Sequence, residues 1–139
     1  MIEETSAGIV LFRTEDKKIL FLLLHYPSGH WDFVKGKMEK GETTHETAIR
    51  ETMEETKIAD IIFIEGFEEW INYDFQYKGE LVHKKVVFFL AETKTKEIKI
   101  SHEHLDHIWM DYNKAIEKTT FDNAKTILTK AQSLLEKTL

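Results

Sequence analysis

Gly36-Lys37-Met38-Glu39-Lys40-Gly41-Glu42, separated by seven residues from Arg50-Glu51-Thr52-Met53-Glu54-Glu55-Thr56-Lys57-Ile58, is the stretch that decides the fold. A glycine turn leads into a helix. Thr43-Thr44-His45-Glu46 fits a capping box, with Thr43 as N-cap and Glu46 at N3, so the helix is predicted from about Thr44 to Thr56. At about 100° per residue, Glu51, Glu54 and Glu55 share one narrow sector beside Arg50, with Ala48, Ile49, Thr52 and Met53 expected on the other side. Like charges at helical spacing repel by a few tenths of a kcal/mol per pair. Three on one face make better sense with a cation such as Mg²⁺ among them, which points to a hard-cation site for phosphate chemistry. A solvated acidic face is the bland alternative. It requires the arginine, the glycine turn and the acidic spacing all to be accidental.

The rest of the chain limits what such a site can serve. At 139 residues, with 42% hydrophobic content, nine Phe and three Trp, the simplest organisation is one domain over residues 1–139. There are no cysteines, so neither a disulfide framework nor a thiolate zinc site is available. An intracellular, reducing compartment is expected, taken as cytoplasmic. The start, Met-Ile-Glu-Glu-Thr, lacks the basic and apolar regions of a signal peptide, and the longest apolar runs, 19–24 and 86–91, are strand length. A net charge of −6 argues against a nonspecific nucleic-acid binder. It suits a polyphosphate ligand only if metal ions invert the local field.

Outward from the central helix, β-rich runs at 7–13 and 18–24 are joined by Thr14-Glu15-Asp16-Lys17, a natural hairpin. Residues 26–30 read as a loop and 31–34 as a short strand. Further strands are expected at 61–72, bent at Gly66, and at 84–92 and 107–110. A short helix is expected over 112–118. From Asp122, the helical spacing of Ala124, Ile127, Leu128, Ala131, Leu134 and Leu135 predicts an amphipathic helix docked on the sheet. The fold class is α+β, a mixed β-sheet sandwiched between helices.

Gly36, Glu42, Arg50, Glu51, Glu54 and Glu55 match the pattern G-x5-E-x7-R-E-U-x-E-E-x-G-U, with U aliphatic, and the chain is identified by resemblance as similar to the Nudix hydrolases. Thr52 stands where an aliphatic residue is usual. Lys57 replaces the glycine that ends the helix in a left-handed conformation, at roughly 1 kcal/mol for a residue with a Cβ. The resemblance implies the Nudix fold and Mg²⁺, with Mn²⁺ as an alternative. It implies Glu51, Glu55 and the Lys35 backbone carbonyl as metal ligands, and Glu54 as a ligand or as proton acceptor for the attacking water. Glu42 with Arg50 would orient the cluster, and Gly36 would shape the turn.

Beyond this box the chain resembles the asymmetrically cleaving diadenosine tetraphosphate hydrolases over nearly its whole length. The resemblance rests on Ser6-Ala7-Gly8, Phe21-Leu22-Leu23-Leu24, Gly29-His30-Trp31-Asp32, Glu65-Gly66-Phe67, Asn72-Tyr73, Phe89-Leu90-Ala91-Glu92 and Ser101-His102-Glu103-His104. Val34 departs from it, standing where a proline usually precedes the lysine. His30, Lys35 and one or both of Lys84 and Lys85 are candidate positive donors along a polyphosphate, with Lys84 the better match by resemblance. Tyr73 is a candidate to stack on adenine, with Phe121 as the opposite face or as ordinary core. His102, His104 and His107 could form a zinc cluster, or Glu103 could add a metal ligand or base. If that segment is extended, His102 and His104 face one side and Glu103 the other, and hard oxygen ligands favour Glu103 with Mg²⁺. The implied activity is Mg²⁺-dependent hydrolysis of dinucleoside tetraphosphates, giving ATP and AMP from diadenosine tetraphosphate. The expected partner is that small molecule alone, with no membrane, no stable nucleic-acid partner and a monomeric state. The rivals are a Nudix hydrolase of an RNA 5′ end, a sugar nucleotide or an oxidised nucleotide, and a non-catalytic nucleotide-binding Nudix domain.

Overall fold

The computed structural model describes Met1–Thr138; Leu139, the last residue of the expected 1–139 domain, lies outside the described residues. Its elements are β1 (Ile2–Glu15), β2 (Lys18–His25), β3 (Trp31–Asp32), β4 (Val34–Lys37), α1 (Thr44–Thr56), β5 (Ile62–Tyr77), β6 (Glu80–Glu92), β7 (Asp106–Met110), α2 (Tyr112–Lys118) and α3 (Asp122–Thr138). One mixed sheet runs β3-β2-β1-β6-β5, with β1 and β6 parallel and the other pairs antiparallel. β1 divides one edge between two partners. Ser6–Ile9 pairs with β4, and Phe12–Glu15 pairs with β2. The β1–β2 turn places Asp16 and Lys17 at φ 50° and 67°, the left-handed pair that a two-residue hairpin demands.

Alternation along β1 builds two cores. Val10 and Phe12 pack with Phe33, Phe88, Leu128 and Leu135 under α2 and α3. Ala7, Ile9 and Leu11 pack with Val34, Ala48 and Val87 under α1. The sheet is therefore sandwiched by helices, as the pattern implied. α3 buries Ala124, Ile127, Leu128, Ala131 and Leu135, with Leu134 half-buried.

Helix α1 carries the predicted capping box: Glu46 N–H donates to Thr43 Oγ1 (3.1 Å) and Thr43 N–H to Glu46 Oε1 (2.8 Å). Its burial differs from the expectation. Ala48 and Thr52 are buried with Glu55, whereas Ile49 and Met53 are 44% and 40% exposed. Ala48 lies seven residues before Glu55, two turns along the same side of the helix. Lys57 ends α1 at φ 66°, its N–H bonded to Met53 O at 2.9 Å. Lys57→Gly should therefore raise stability by about 1 kcal/mol, read as a shifted denaturant midpoint at unchanged slope.

β5 and β6 extend well beyond the predicted limits as a hairpin closed by Lys78 and Gly79, at φ 51° and 81°. Near its start, β5 carries a register shift between Phe63 and Glu68 containing Gly66 at φ 91°, where a bend was expected. No described helix is long and apolar enough to cross a membrane.

Candidate active site

The site is organised by the four residues of β4. Val34 packs in the α1 core and pairs with Ile9, so by alternation Gly36 faces α1 while Lys35 and Lys37 face the α3 side. A Cβ on Gly36 would overlap the Glu51 carboxyl group, and one on Gly8 would overlap Val34 O. Both glycines are close-approach residues. Gly8 lets β4 lie on β1, and Gly36 lets a carboxylate lie on β4.

On the α1 side, Arg50 collects the acids around it. Its Nε and Nη2 reach Glu42 Oε2 and Oε1 at 2.7 and 3.1 Å; Nη1 reaches Glu51 Oε1 at 2.8 Å and Glu54 at 3.3 Å; Nη2 also donates to Lys37 O at 2.9 Å. Glu42 accepts further bonds from Thr47 Oγ1 (2.8 Å) and Glu39 N (2.9 Å). The guanidinium, first among these, lowers the Glu42 pKa to about 2. Glu42 thus holds Arg50, and Arg50 in turn contacts Glu51 and Glu54.

Glu55 is the exception in this network. It is 4% exposed, and Oε1 has no hydrogen-bond partner among the described residues. His104 Nε2 stands 3.2 Å away but out of hydrogen-bond alignment. Burial first, then the Glu51, Glu103 and Glu54 carboxylates, push its pKa up to about 10. A buried acid with an orphaned oxygen among like charges is costly by itself, and a cation removes the cost.

A cavity of about 310 Å³ opens there, lined by Glu51, Glu54, Glu55, Lys57, Ser101, His102 and Glu103. Two backbone bonds clip the loop to the end of α1, Ser101 N–H to Glu55 O (3.1 Å) and Lys99 N–H to Thr56 O (3.2 Å). Among the described residues no three His, Asp or Glu side chains already stand in a metal-ligating group, and Arg50 holds Glu51 and Glu54. The donors bordering the cavity are hard oxygens, which suit Mg²⁺ or Mn²⁺.

The loop is not extended. His104 N–H turns back to Ser101 O at 3.1 Å, so His102 and Glu103 border the same cavity instead of facing opposite sides. His104 packs edge-on against Tyr26, and His107 lies in β7 opposite Leu24. The zinc-cluster alternative therefore finds no gathered histidines among the described residues.

On the α3 side, a cavity of about 390 Å³ is lined by Asp32, Lys35, Ile71, Tyr73, Phe88, Phe121, Asp122, Asn123 and Ala124. Tyr73 and Phe121 are 40% and 48% exposed, so Phe121 belongs to a cavity wall and not to the core. Lys35 Nζ is 3.2 Å from buried Asp32. Lys84 lies opposite Tyr73 on β5 and opposite Glu4 on β1. Its Nζ is 3.7 Å from Glu4 Oε2, and burial lowers its pKa. Lys37 Nζ contacts Glu4 Oε1 at 2.6 Å.

One expectation changes here. Lys85 is exposed and, one residue on from Lys84, faces the other side of the sheet, which removes it from the cavity. His30 stacks on Tyr26 at 4.7 Å and lies 5.0 Å from Phe121, and burial lowers its pKa. Glu4, Lys37 and Asp32 escaped the sequence reading. Strand pairing alone brings Glu4 to the two lysines. Asp32 was visible in the Gly29–Asp32 segment but without a partner to give it a role.

A family model described as NUDIX domain matches residues 3–130. The chain is 34% identical to an asymmetrical bis(5′-nucleosyl)-tetraphosphatase of Rattus norvegicus, covering 94% of each chain. It is 30% identical to a dihydroneopterin triphosphate diphosphatase of Haemophilus influenzae, covering 85% of this chain and 80% of that one. A crystal structure of a C. elegans Ap4A hydrolase binary complex superposes with a TM-score of 0.85 at 33% identity, covering 96% and 98% of the two chains.

Proposed function

The chain belongs to the Nudix hydrolase family, and from that premise we propose that it hydrolyses dinucleoside tetraphosphates asymmetrically, giving ATP and AMP from diadenosine tetraphosphate. The observation that carries the substrate assignment is the cavity in which Lys35, Tyr73 and Phe121 meet, joined through one peptide unit to the Gly36–Glu51 contact. Similarity to the rat enzyme over nearly the full length supports the same reading.

Tyr73 and Phe121 clamp one adenine between them, and Lys35 and Lys84 meet the phosphates that follow. Glu51, Glu55 and the Lys35 carbonyl would hold Mg²⁺, with Glu54 and Glu103 bordering the same space. When bound, the ion supplies positive charge against the phosphates and acidifies water. Arg50, braced by Glu42, keeps Glu51 and Glu54 aimed at that space. Glu54 or Glu103 takes the proton from a water attacking the phosphorus four positions from the clamped adenosine. The bond to the ATP oxygen breaks as the new P–O bond to AMP forms.

A screen of Mg²⁺-dependent cleavage over nucleotides tests this directly. Diadenosine tetraphosphate should be the best substrate, and in ¹⁸O-water the label should enter AMP and not ATP. Faster cleavage of a pterin or nucleoside triphosphate would displace the substrate and leave the Nudix chemistry standing. Base stacking is worth about 1–3 kcal/mol. Tyr73→Ala and Phe121→Ala should therefore each raise KM roughly five- to hundredfold, with a smaller change in kcat. An unchanged KM in both variants would refute the clamp.

A further inference from the structure

Asp32 lines the α3-side cavity together with Ile71, Phe88 and the two exposed rings of Tyr73 and Phe121. Among the polar residues described there it alone is buried, at 4% exposure. Lys35 is partly buried, and Asp122 and Asn123 are exposed. Two hydrogen bonds fix its carboxylate. Phe33 N–H donates to Oδ1 at 2.7 Å and Lys35 Nζ to Oδ2 at 3.2 Å. Lys35 thereby supplies the opposite charge that a buried carboxylate needs. An ionised carboxyl group has about four acceptor positions and no donor, so about two positions stay open here. Ligand cavities take their specificity from a few polar groups placed among apolar ones, and this one can only accept. A ring held between Tyr73 and Phe121 offers its edge to such a group. On adenine the donor at that edge is the 6-amino group.

We propose that Asp32 is a specificity-determining residue: its carboxylate accepts an N–H from the 6-amino group of the clamped adenine. The cavity then selects a purine that carries a donor at that position. The plainer role, a counter-ion for Lys35 and nothing more, accounts for Oδ2 but leaves the cavity indifferent to the amino group. The inference rests on the nucleotide cavity of the proposed function and is independent of how the phosphates are cut. Hydrogen bonds to a charged group are stronger than those between neutral partners, and a site built for a donor rejects the analogue that lacks it.

Calorimetric titration with ATP and with purine riboside 5′-triphosphate, which differ only in the 6-amino group, tests it in chelator, where no turnover intervenes. The parent should bind ATP about 10- to 100-fold more tightly than the analogue. Asp32→Ala should bring the two affinities to within about threefold of each other, because the acceptor is gone. Any loosening of Lys35 in that variant weakens both ligands alike, since they carry the same triphosphate, and leaves their ratio untouched. Equal affinities in the parent, or a preference that persists in Asp32→Ala, would overturn the proposal in favour of a counter-ion role. The parent comparison stands by itself if Asp32→Ala does not fold. A parent that binds neither ligand overturns the nucleotide cavity and this proposal together. A parent that prefers ATP as expected yet leaves diadenosine tetraphosphate uncut with Mg²⁺ overturns only the substrate assignment.

Discussion

Glu55→Gln is expected to lower turnover by roughly 10²–10³-fold and, in the same protein, to raise the melting temperature measured in chelator. The two effects share a cause. Burial and the surrounding acids hold the Glu55 pKa at about 10, against an ordinary 4.5. Below pH 4.5 the group is neutral in both folded and unfolded chains. Above it the unfolded chain ionises while the folded one keeps its proton, until about pH 10. The stability this group contributes is therefore full at low pH and drains away as pH climbs through that window. Gln carries no such proton, so the variant's melting temperature should lose this decline with pH.

Cation binding at neutral pH must expel the Glu55 proton. Apparent Mg²⁺ affinity should consequently rise with pH, and a weakly buffered titration should show protons released. A Gln variant with near-parental turnover would sink the assignment of Glu55 as a ligand. One with parental turnover and an unaltered pH slope of stability would also sink the account of its burial.

The second large effect separates two glycines that look alike in the sequence. Gly8→Ala puts a methyl group into Val34 O and within 2.8 Å of Lys35 Cβ, and backbone paired on both sides cannot step aside. Overpacking of this kind costs about 1–3 kcal/mol and sometimes more. The melting temperature of Gly8→Ala should fall by many degrees, with residual activity following the folded fraction. Gly36→Ala meets the Cγ, Cδ and Oε2 atoms of Glu51, a side chain that can rotate away where backbone cannot. Its melting temperature should stay near the parent's while turnover falls roughly 10²-fold or more, as for removal of a preorganised charge. Circular-dichroism melts with turnover assays on both variants would show the contrast. Equal stability losses would refute it.

What the sequence disclosed follows from how local each interaction is. The α1 helix was legible because its cap, its turn and its acidic spacing lie within one continuous stretch, and the same stretch named Arg50, Glu42 and Gly36. The far half of the β5–β6 hairpin was not. Tyr73, Phe75 and Tyr77 do alternate there with Asp74, Gln76 and Lys78, but most of these residues are exposed, so the alternation does not mark a face of the core. The Lys85 expectation failed for a related reason. Two adjacent lysines are equivalent in a string but sit on opposite faces once the strand is pleated. Glu4 could not be found at all, because only the parallel β1–β6 register sets it beside Lys84. Glu55 was read as one of three acids on a helix face and, by resemblance, as a metal ligand, and its burial emerged only when β4, the Ser101–His104 loop and α1 had closed around it.

β4 passes Lys35 to one face of the sheet and Gly36 to the other. On the proposed reading, the groups that grip the nucleotide and the groups that cut it are different sets of residues, joined at a single peptide unit. Replacing Tyr73, Phe121 or Asp32 would then retune which molecule is accepted without disturbing Arg50 and its carboxylates. Descendants of such a chain can change diet while inheriting the same blade, and a designer could graft a new cavity wall onto this sheet without rebuilding the hydrolytic side.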